Sequence, residues 1–386
     1  MTEQVASESE ELIFWLRLLL TSGIGPARAR KLLSAFGSAP AVFQQSITAL
    51  SQVVPGKQAQ ALRQEPEGFN DASLRLQQWL DASSLHHVLT LGHPFYPNTL
   101  YEIADPPLLL FTNGDLSLLQ NTALAIVGSR NPTAQGKETA SDFAKTFSQS
   151  GITIVSGMAA GIDGFAQSAA LDGQGKTIAV LGTGIDRVYP ASHLNLAHQI
   201  AQQGGLLLSE LPLGTPPIAT NFPKRNRIIA GLALGTLVVE ATLHSGSLIT
   251  AKLAGEMGRE VFAIPGSIHS PQSKGCHWLI RQGAKLVESA QDIFEELRLE
   301  YQTGRQSPDI QKNSDQDNNP HSDELGNSSL THAILDAIGE GPTSLEAVLA
   351  RTGFDAALLQ TELLNLELDN QIARLPGNLF QRLHLT

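Results

Sequence analysis

The chain has 386 residues, of which 42% are hydrophobic and 16% charged, and its formal net charge is -11. This length and composition indicate two or three packed domains. The single cysteine excludes a disulfide framework, the histidines show no metal-binding spacing, and no apolar run is long enough to span a membrane. We therefore expect a cytoplasmic protein with no metal, no cofactor and no membrane anchor.

The charge is unevenly distributed along the chain. Residues 121–290 carry 13 basic and 10 acidic side chains, whereas residues 291–386 carry 6 basic and 16 acidic ones. A polyanionic partner needs local rather than overall positive charge. If such a partner exists, the sequence predicts that it binds the middle of the chain.

Residues 1–80 are predicted to form a helical domain. An amphipathic helix at 11–20 runs into the turn Gly23-Ile24-Gly25 and a second helix, a pattern similar to the SAM-like helix-hairpin-helix motif, and 54–57 resembles a weaker second copy. Glycines in this motif let a nucleic-acid phosphate approach the backbone, and Arg28, Arg30 and Lys31 would assist. The alternative is a hairpin that serves only packing or protein contact. Both interpretations stay open at this point.

Residues 81–300 alternate short apolar runs with helical stretches. The predicted strands are 123–127, 152–155, 177–181, 206–208, 236–239, 261–264 and 284–287. Short, nearly continuous apolar runs are typical of strands that are buried on both faces. The pattern therefore predicts an α/β fold with a Rossmann-like, doubly wound and mostly parallel sheet.

Small and polar residues follow almost every predicted strand. In a parallel sheet these loops meet at the carboxyl ends of the strands, where glycines admit a ligand and hydroxyls bind phosphate oxygens. The residues that we predict to contact a phosphate-bearing ligand from these loops are Gly128, Ser129, Arg130, Ser156, Gly157, Gly161, Ser245, Gly246, Ser247 and Thr250.

A basic segment begins the helix that precedes the strand at 236–239. The chain has no Asp or Glu from 211 to 239, and helix N-termini favour anions. Phe222 either stacks a base or belongs to the core. The predicted ligand-binding residues of this segment are Asn221, Phe222, Lys224, Arg225, Asn226 and Arg227.

The sequence gives no indication of catalysis. A dinucleotide fingerprint is absent, and Asp163 and Glu240 are the only acids predicted at the loop rim. We expect each of them to orient an arginine or cap a helix rather than to react. We therefore predict a binding protein rather than an enzyme, with no catalytic residue.

Several of these segments resemble, in order, the signature blocks of the DNA-processing protein A (DprA/Smf) family. The blocks are 128–130, 156–163, 221–231, 238–251 and 261–266. The resemblance covers about residues 90–300 and implies an extended Rossmann fold that binds single-stranded DNA without sequence preference. It also implies loading of the RecA recombinase onto that DNA in natural transformation, and a homodimer formed through the Rossmann domain.

The remaining chain is predicted to be a linker and a small domain. Residues 301–328 are polar and form the expected flexible linker, and residues 329–386 show the element order of a winged helix. Its predicted recognition helix at 355–369 has four acidic side chains and no Lys or Arg, which argues against entry into a DNA groove. We expect a protein-contact or regulatory role for this domain.

Two other functions remain as alternatives. The first is a nucleotide-processing enzyme of the Rossmann type, similar to phosphoribohydrolases, although the Pro-Gly-Gly-x-Gly-Thr motif of that group is missing. The second is an adaptor whose partner contacts matter more than DNA. The enzyme predicts turnover of a nucleoside monophosphate, and the adaptor predicts that removing charge at Arg130 and Arg225 leaves function intact.

Overall fold

The computed structural model describes residues 2–299 and parts of the C-terminal segment. The described C-terminal residues are 334–335, 337–338, 343–352, 354, 359, 362–363, 365–367, 371–375 and 379–382. The chain divides into two compact units, 1–305 and 306–386. The predicted linker at 301–328 lies outside the described residues.

The first part of unit one is helical, as predicted. Its helices are α1 Thr2–Leu20, α2 Pro26–Phe36, α3 Ala39–Gln44, α4 Ile47–Ser51, α5 Gly56–Arg63 and α6 Phe69–Asp81. Ser38 and Ser46 cap α3 and α4 through their side chains. Leu16, Leu32 and Leu50 are among the buried residues that hold these helices together.

A parallel sheet follows, and all seven predicted strands are present. The strands are β1 His86–Thr90, β2 Leu109–Gly114, β3 Ala123–Gly128, β4 Thr153–Ser156, β5 Thr177–Val180, β6 Leu206–Ser209, β7 Gly235–Val239, β8 Glu260–Ala263 and β9 Lys285–Leu286. Among the described residues they form one nine-stranded sheet in the order β1-β2-β6-β5-β4-β3-β7-β8-β9. From β6 to β9 the pairs are parallel.

Strands β1 and β2 were not predicted. They pair antiparallel with each other, and β2 pairs antiparallel with β6 at the edge of the sheet. Four of the five β1 residues are half-buried, so β1 lacks the continuous apolar run of the inner strands. The edge therefore extends the predicted sheet without changing its class.

Helices cover both faces of the sheet. They are α7 Asn98–Tyr101, α8 Ala134–Gln149, α9 Ile162–Ala170, α10 Leu194–Gln202, α11 Asn221–Leu232, α12 Ser247–Glu256, α13 Lys274–Arg281 and α14 Ala290–Glu296. Short 3-10 helices lie at Leu116–Gln120, Ala191–His193 and Pro271–Ser273. Strand β3 is entirely apolar up to Gly128 and lies at the centre of the sheet, where β4 and β7 flank it. The loop after β3 is therefore central at the rim where the parallel strands end.

The C-terminal unit has its own core. Its described elements are the strands β10 Thr343–Ser344, β11 Ile372–Leu375 and β12 Leu379–Arg382 and the helix Leu345–Thr352. Within the described residues the strands form a sheet in the order β10-β12-β11, and Val348, Leu363 and Phe380 are among the residues of the core. Of the helices that the structure describes, none is long and apolar enough to cross a membrane.

Candidate nucleic-acid interface

A cavity of about 700 Å³ opens where the parallel strands end. The loops after β3 and β7 and the first turns of α11 and α12 line it, as expected for an open α/β sheet. Ten of the predicted ligand-binding residues meet here: Gly128, Ser129, Arg130, Phe222, Arg225, Asn226, Ser245, Gly246, Ser247 and Thr250.

A carboxylate lies at the start of each of two helices near the cavity, α8 and α9, where its negative charge offsets the positive end of the helix dipole. The Thr133 backbone N–H and Oγ1 donate to the Glu240 carboxylate at 2.9 and 2.5 Å, at the start of α8. At the start of α9, Asp163 accepts hydrogen bonds from the amides of Gly157 at 3.0 Å and Ala159 at 3.4 Å. Glu240 thus contacts the N-cap residue of α8, whereas Asp163 bonds to amides that precede α9 and interacts electrostatically with Arg225. Both carboxylates serve the protein's own backbone.

The N-terminal ends of α11 and α12 are left without such compensation. Neither helix has an acidic residue in its first turn, and neither Thr220 nor Gly246 provides a side-chain cap. The positive end of a helix dipole stabilises a nearby anion by about 0.3–1 kcal/mol at the surface. The cavity thus lies between two helix ends that favour an external negative charge.

Two cations are available at this rim. Arg130 is exposed and lines the cavity directly after β3, and Lys224 is exposed on the first turn of α11. Neither takes part in an ion pair among the described residues. Their charges remain free for an incoming phosphate.

Arg225 has a different environment from these two cations. It is buried, and its Nη1 donates to the Gly157 carbonyl at 2.6 Å and to the Val180 carbonyl, so that it joins α11 to the ends of β4 and β5. Burial lowers the pKa of Arg225 to about 10, although the nearby negative charge of Asp163 opposes this shift. Burial likewise raises the pKa of Asp163, and the positive charge of Arg225 opposes that shift. Arg225 forms part of the cavity floor and fixes its shape.

Arg227 forms ion pairs outside the cavity. Its Nη2 lies 2.5 Å from Glu210 Oε2 and 3.8 Å from Asp105 Oδ2. Burial raises the pKa of Glu210, and Arg227 opposes that shift. Arg30 of α2 also pairs with Asp105, at 3.6 Å, and donates to the Ala104 carbonyl. A chain of charges therefore connects the helical region to α11.

We expect Arg227→Ala to lower the free energy of unfolding by about 1–3 kcal/mol, because Glu210 would keep a half-buried charge without its partner. The salt dependence of polyanion binding should stay unchanged, since the guanidinium is already neutralised. Denaturant unfolding and a binding titration over a salt series measure both quantities. A lower salt slope at unchanged stability would instead assign Arg227 to a phosphate contact.

Six predicted residues do not line the cavity. They are Ser156, Gly157, Gly161, Asn221, Lys224 and Arg227. Ser156 is buried and donates to the Ile126 carbonyl at 2.6 Å, and the Gly157 amide is bonded to Asp163. Gly161 has φ +83° and packs against the backbone of Ser129 and Arg130. Ser156 thus joins β4 to β3, and Gly161 supports the loop that carries Arg130.

Sequence reasoning missed several residues that line the cavity. These are Asn131, Ala159, Tyr189, Thr242, His244, Ile249 and Gln272, among others. Tyr189 belongs to the loop that follows β5, and its ring lies 5.4 Å from the ring of Phe222. An aromatic residue in a loop after a parallel strand was a usable signal for this position.

The hairpin of the helical region is partly engaged within the protein. Arg28 donates to the Gly23 carbonyl at 2.7 Å, and a side chain at Gly23 would meet Gln58. Arg30 contacts the loop around Asp105, as described above. Of the three predicted cations only Lys31 is exposed with no ion pair or hydrogen bond to a described residue. These contacts favour a packing role for this hairpin.

The fold is that of a Rossmann-like α/β protein with a helical N-terminal region and a small C-terminal domain, and its cavity has the charge and helix ends of a candidate anion site. Three family models match the chain: DNA recombination-mediator protein A over residues 87–298, a SAM-like helix-hairpin-helix tandem over 16–65, and the DprA winged-helix domain over 318–378. The paired hairpins and the winged helix are thereby confirmed.

Relatives agree with these matches. Protein Smf of Escherichia coli is 43% identical over 322 residues, which is 83% of each chain. The X-ray structure of DNA processing protein A from Streptococcus pneumoniae has a TM-score of 0.61 and 38% identity, and covers 74% of this chain and 97% of that one. DNA processing protein A from Helicobacter pylori, described for its single-stranded DNA binding mode, has a TM-score of 0.50 and 31% identity, with 55% and 95% coverage. The chain belongs to the DprA/Smf family.

Proposed function

We propose that this protein is a recombination mediator that binds single-stranded DNA at the cavity and loads RecA onto it. Family membership supports the mediator role, and the Helicobacter relative is described as a single-stranded DNA binder. Binding of DNA requires no chemistry, and both acids near the cavity are bonded to the protein's own backbone amides. The proposed activity is therefore binding without turnover.

One observation carries the proposal. Two uncompensated helix ends and the unpaired cation Arg130 line a cavity of about 700 Å³ whose polar groups include Ser129, Ser245 and Ser247, and the unpaired Lys224 lies on the first turn of α11 beside lining residues. Phosphate contacts of this kind position a nucleic acid but do not distinguish its sequence. The arrangement thus suits a DNA backbone of any sequence.

A salt series tests the proposal directly. We expect a fluorescent single-stranded oligonucleotide to bind the full chain with an affinity that falls steeply with salt, and Arg130→Ala and Lys224→Ala each to reduce the slope of log affinity against log salt by about 0.7. Lys145→Ala is the matched control, because Lys145 is exposed on α8 and does not line the cavity. Equal losses for all three variants would refute a cavity-centred site.

The RecA and dimer proposals rest on the family resemblance. If DNA is presented to RecA from the cavity, Arg130→Ala should slow RecA filament formation on single strands in proportion to its lost affinity for DNA, and Lys145→Ala should not.

Sedimentation of the full chain over a concentration series tests the homodimer. Turnover of a nucleoside monophosphate in the same preparation would favour the nucleotide-processing enzyme instead.

A further inference from the structure

Tyr189 is an aromatic side chain that is exposed at the cavity. It lines the cavity from the loop after β5, and 48% of its surface is accessible. Large aromatic rings bury most of their area in folded proteins, so a ring held open beside a polar cavity suggests a ligand. The exposed ring is not a loose surface group, because it packs on Phe222 at 5.4 Å with an interplanar angle of 51°.

Phe222 supports Tyr189 from the inside. A Cβ on Gly182 would approach the Phe222 ring to 2.7 Å, which means that the ring packs directly on the backbone after β5. Arg225 lies 6.0 Å from the centre of the same ring. Phe222 therefore packs on the protein backbone and also borders the cavity, and base stacking by Phe222 stays a prediction. Tyr189 presents the more open aromatic surface.

The cavity also has an apolar side near this ring. Ile249, which is 42% exposed, lines the cavity at the start of α12, and Pro217 and Ala219 line it from the loop before α11. The other polar groups of the lining include three serines, two arginines, the carboxylate of Asp163 and the first turns of α11 and α12. A nucleotide has the same division, because its phosphate is an anion and its base is a flat, largely apolar ring system.

We propose that Tyr189 is a base-stacking residue that takes one unstacked nucleobase, while Arg130 and the helix ends take the adjoining phosphates. This inference rests on the proposed single-stranded DNA binding and adds the element that selects the single strand. A duplex base is stacked and paired, and it must leave the stack before it can reach a ring inside a cavity. The phosphates of a duplex, in contrast, remain available to the cations. Selectivity for the single strand therefore resides in the aromatic contact.

The test compares an oligothymidine with an abasic oligonucleotide of equal length, which has the same phosphates and no bases. For the full chain, Tyr189→Ala should weaken oligothymidine binding about 5- to 150-fold, the range expected for one lost stacking contact. Binding of the abasic strand should change less than about twofold. Tyr189→Phe should retain the wild-type preference for bases, since it keeps the ring.

Two comparisons separate this inference from the proposed function. Arg130→Ala should weaken both oligonucleotides, because it removes a phosphate contact, and Phe95→Ala should weaken neither, since Phe95 is 40% exposed but does not line the cavity. Suppose that the wild type binds, and that Tyr189→Ala either lowers the affinity for both oligonucleotides equally or changes neither affinity. The stacking role is then refuted, and the phosphate site stands. If the wild type binds neither strand, the proposed function itself fails.

A fluorescent variant gives a second readout that does not depend on affinity. In Tyr189→Trp the new indole should be quenched by oligothymidine, because stacking on a base brings the two ring systems into contact. The abasic strand should leave the fluorescence of this added indole unchanged. Equal quenching by both strands would show that the residue senses the backbone alone, which would overturn the assignment.

Discussion

Arg225→Ala is expected to lower the free energy of unfolding by about 3–5 kcal/mol, the usual loss when one member of a buried charged network is removed. The carbonyls of Gly157 and Val180 would lose their donor, and Asp163 would remain buried without the opposing charge. Denaturant unfolding measures the effect. Arg130→Ala is the comparison from the same cavity, and it should change stability by less than about 0.5 kcal/mol because the side chain is exposed.

The pH dependence of this loss has a definite sign. Burial raises the pKa of Asp163 in the folded state, so protonation of Asp163 favours folding, and this favourable contribution is lost as the pH rises through the folded-state pKa. Without Arg225 the pKa should rise further. The stability gap between wild type and Arg225→Ala should therefore shrink as the pH falls towards the raised pKa of Asp163. Asp163→Asn added to Arg225→Ala should recover part of the stability at neutral pH. A gap that widens on acidification would contradict this account.

Gly161→Ala is expected to lower stability by about 2–4 kcal/mol and to weaken DNA binding at least as much as Arg130→Ala does. Gly161 has φ +83°, which a residue with a Cβ adopts only with strain. The added Cβ would also lie 2.7 Å from the carbonyl carbon of Arg130 and even closer to the Ser129 oxygen. The loop that carries Arg130 must therefore move.

Gly246→Ala is the matched control for this substitution. Gly246 lines the same cavity at the start of α12, has φ -62°, and has no atom within 4 Å of an added Cβ. We expect the free energy of unfolding of Gly246→Ala to rise by about 0.4–1 kcal/mol or to stay unchanged. Thermal unfolding compares the stability of the two variants. An equal loss of stability in Gly161→Ala and Gly246→Ala would show that the backbone conformation of Gly161 is not the cause of the loss.

The parallel part of the fold could be predicted because its signal is local. Each inner strand is a short apolar run, and burial on both faces requires such a run whatever the neighbours are. Strand β1 contains His86 and His87 and is mostly half-buried, and β2 ends in Thr112-Asn113-Gly114, which resembles a turn. These edge strands are defined by pairing with each other and with β6, and such pairing is not encoded in the local pattern.

The location of the candidate site could be predicted from the sequence, but the role of each of its residues could not. The acid-free basic segment and the loops after the strands indicated the rim where ten of the predicted residues line one cavity. Sequence patterns alone do not distinguish Arg225 and Arg227 from Lys224, because the partners of the two arginines lie far away in the chain. Arg225 bonds to Gly157 and Val180, and Arg227 pairs with Glu210. Only the folded chain separates cations that are neutralised from those that are free.

The charges that join the helical region to α11 also affect how shortened chains should be interpreted. A chain that began at residue 81 would keep every residue of the cavity, but Asp105 and the Ala104 carbonyl would lose Arg30. Asp105 shares Arg227 with Glu210, two residues beyond Arg225 on the same helix. The helical region is thus a support for the basic helix, and its deletion would alter the neighbouring cavity even if no hairpin ever touched DNA.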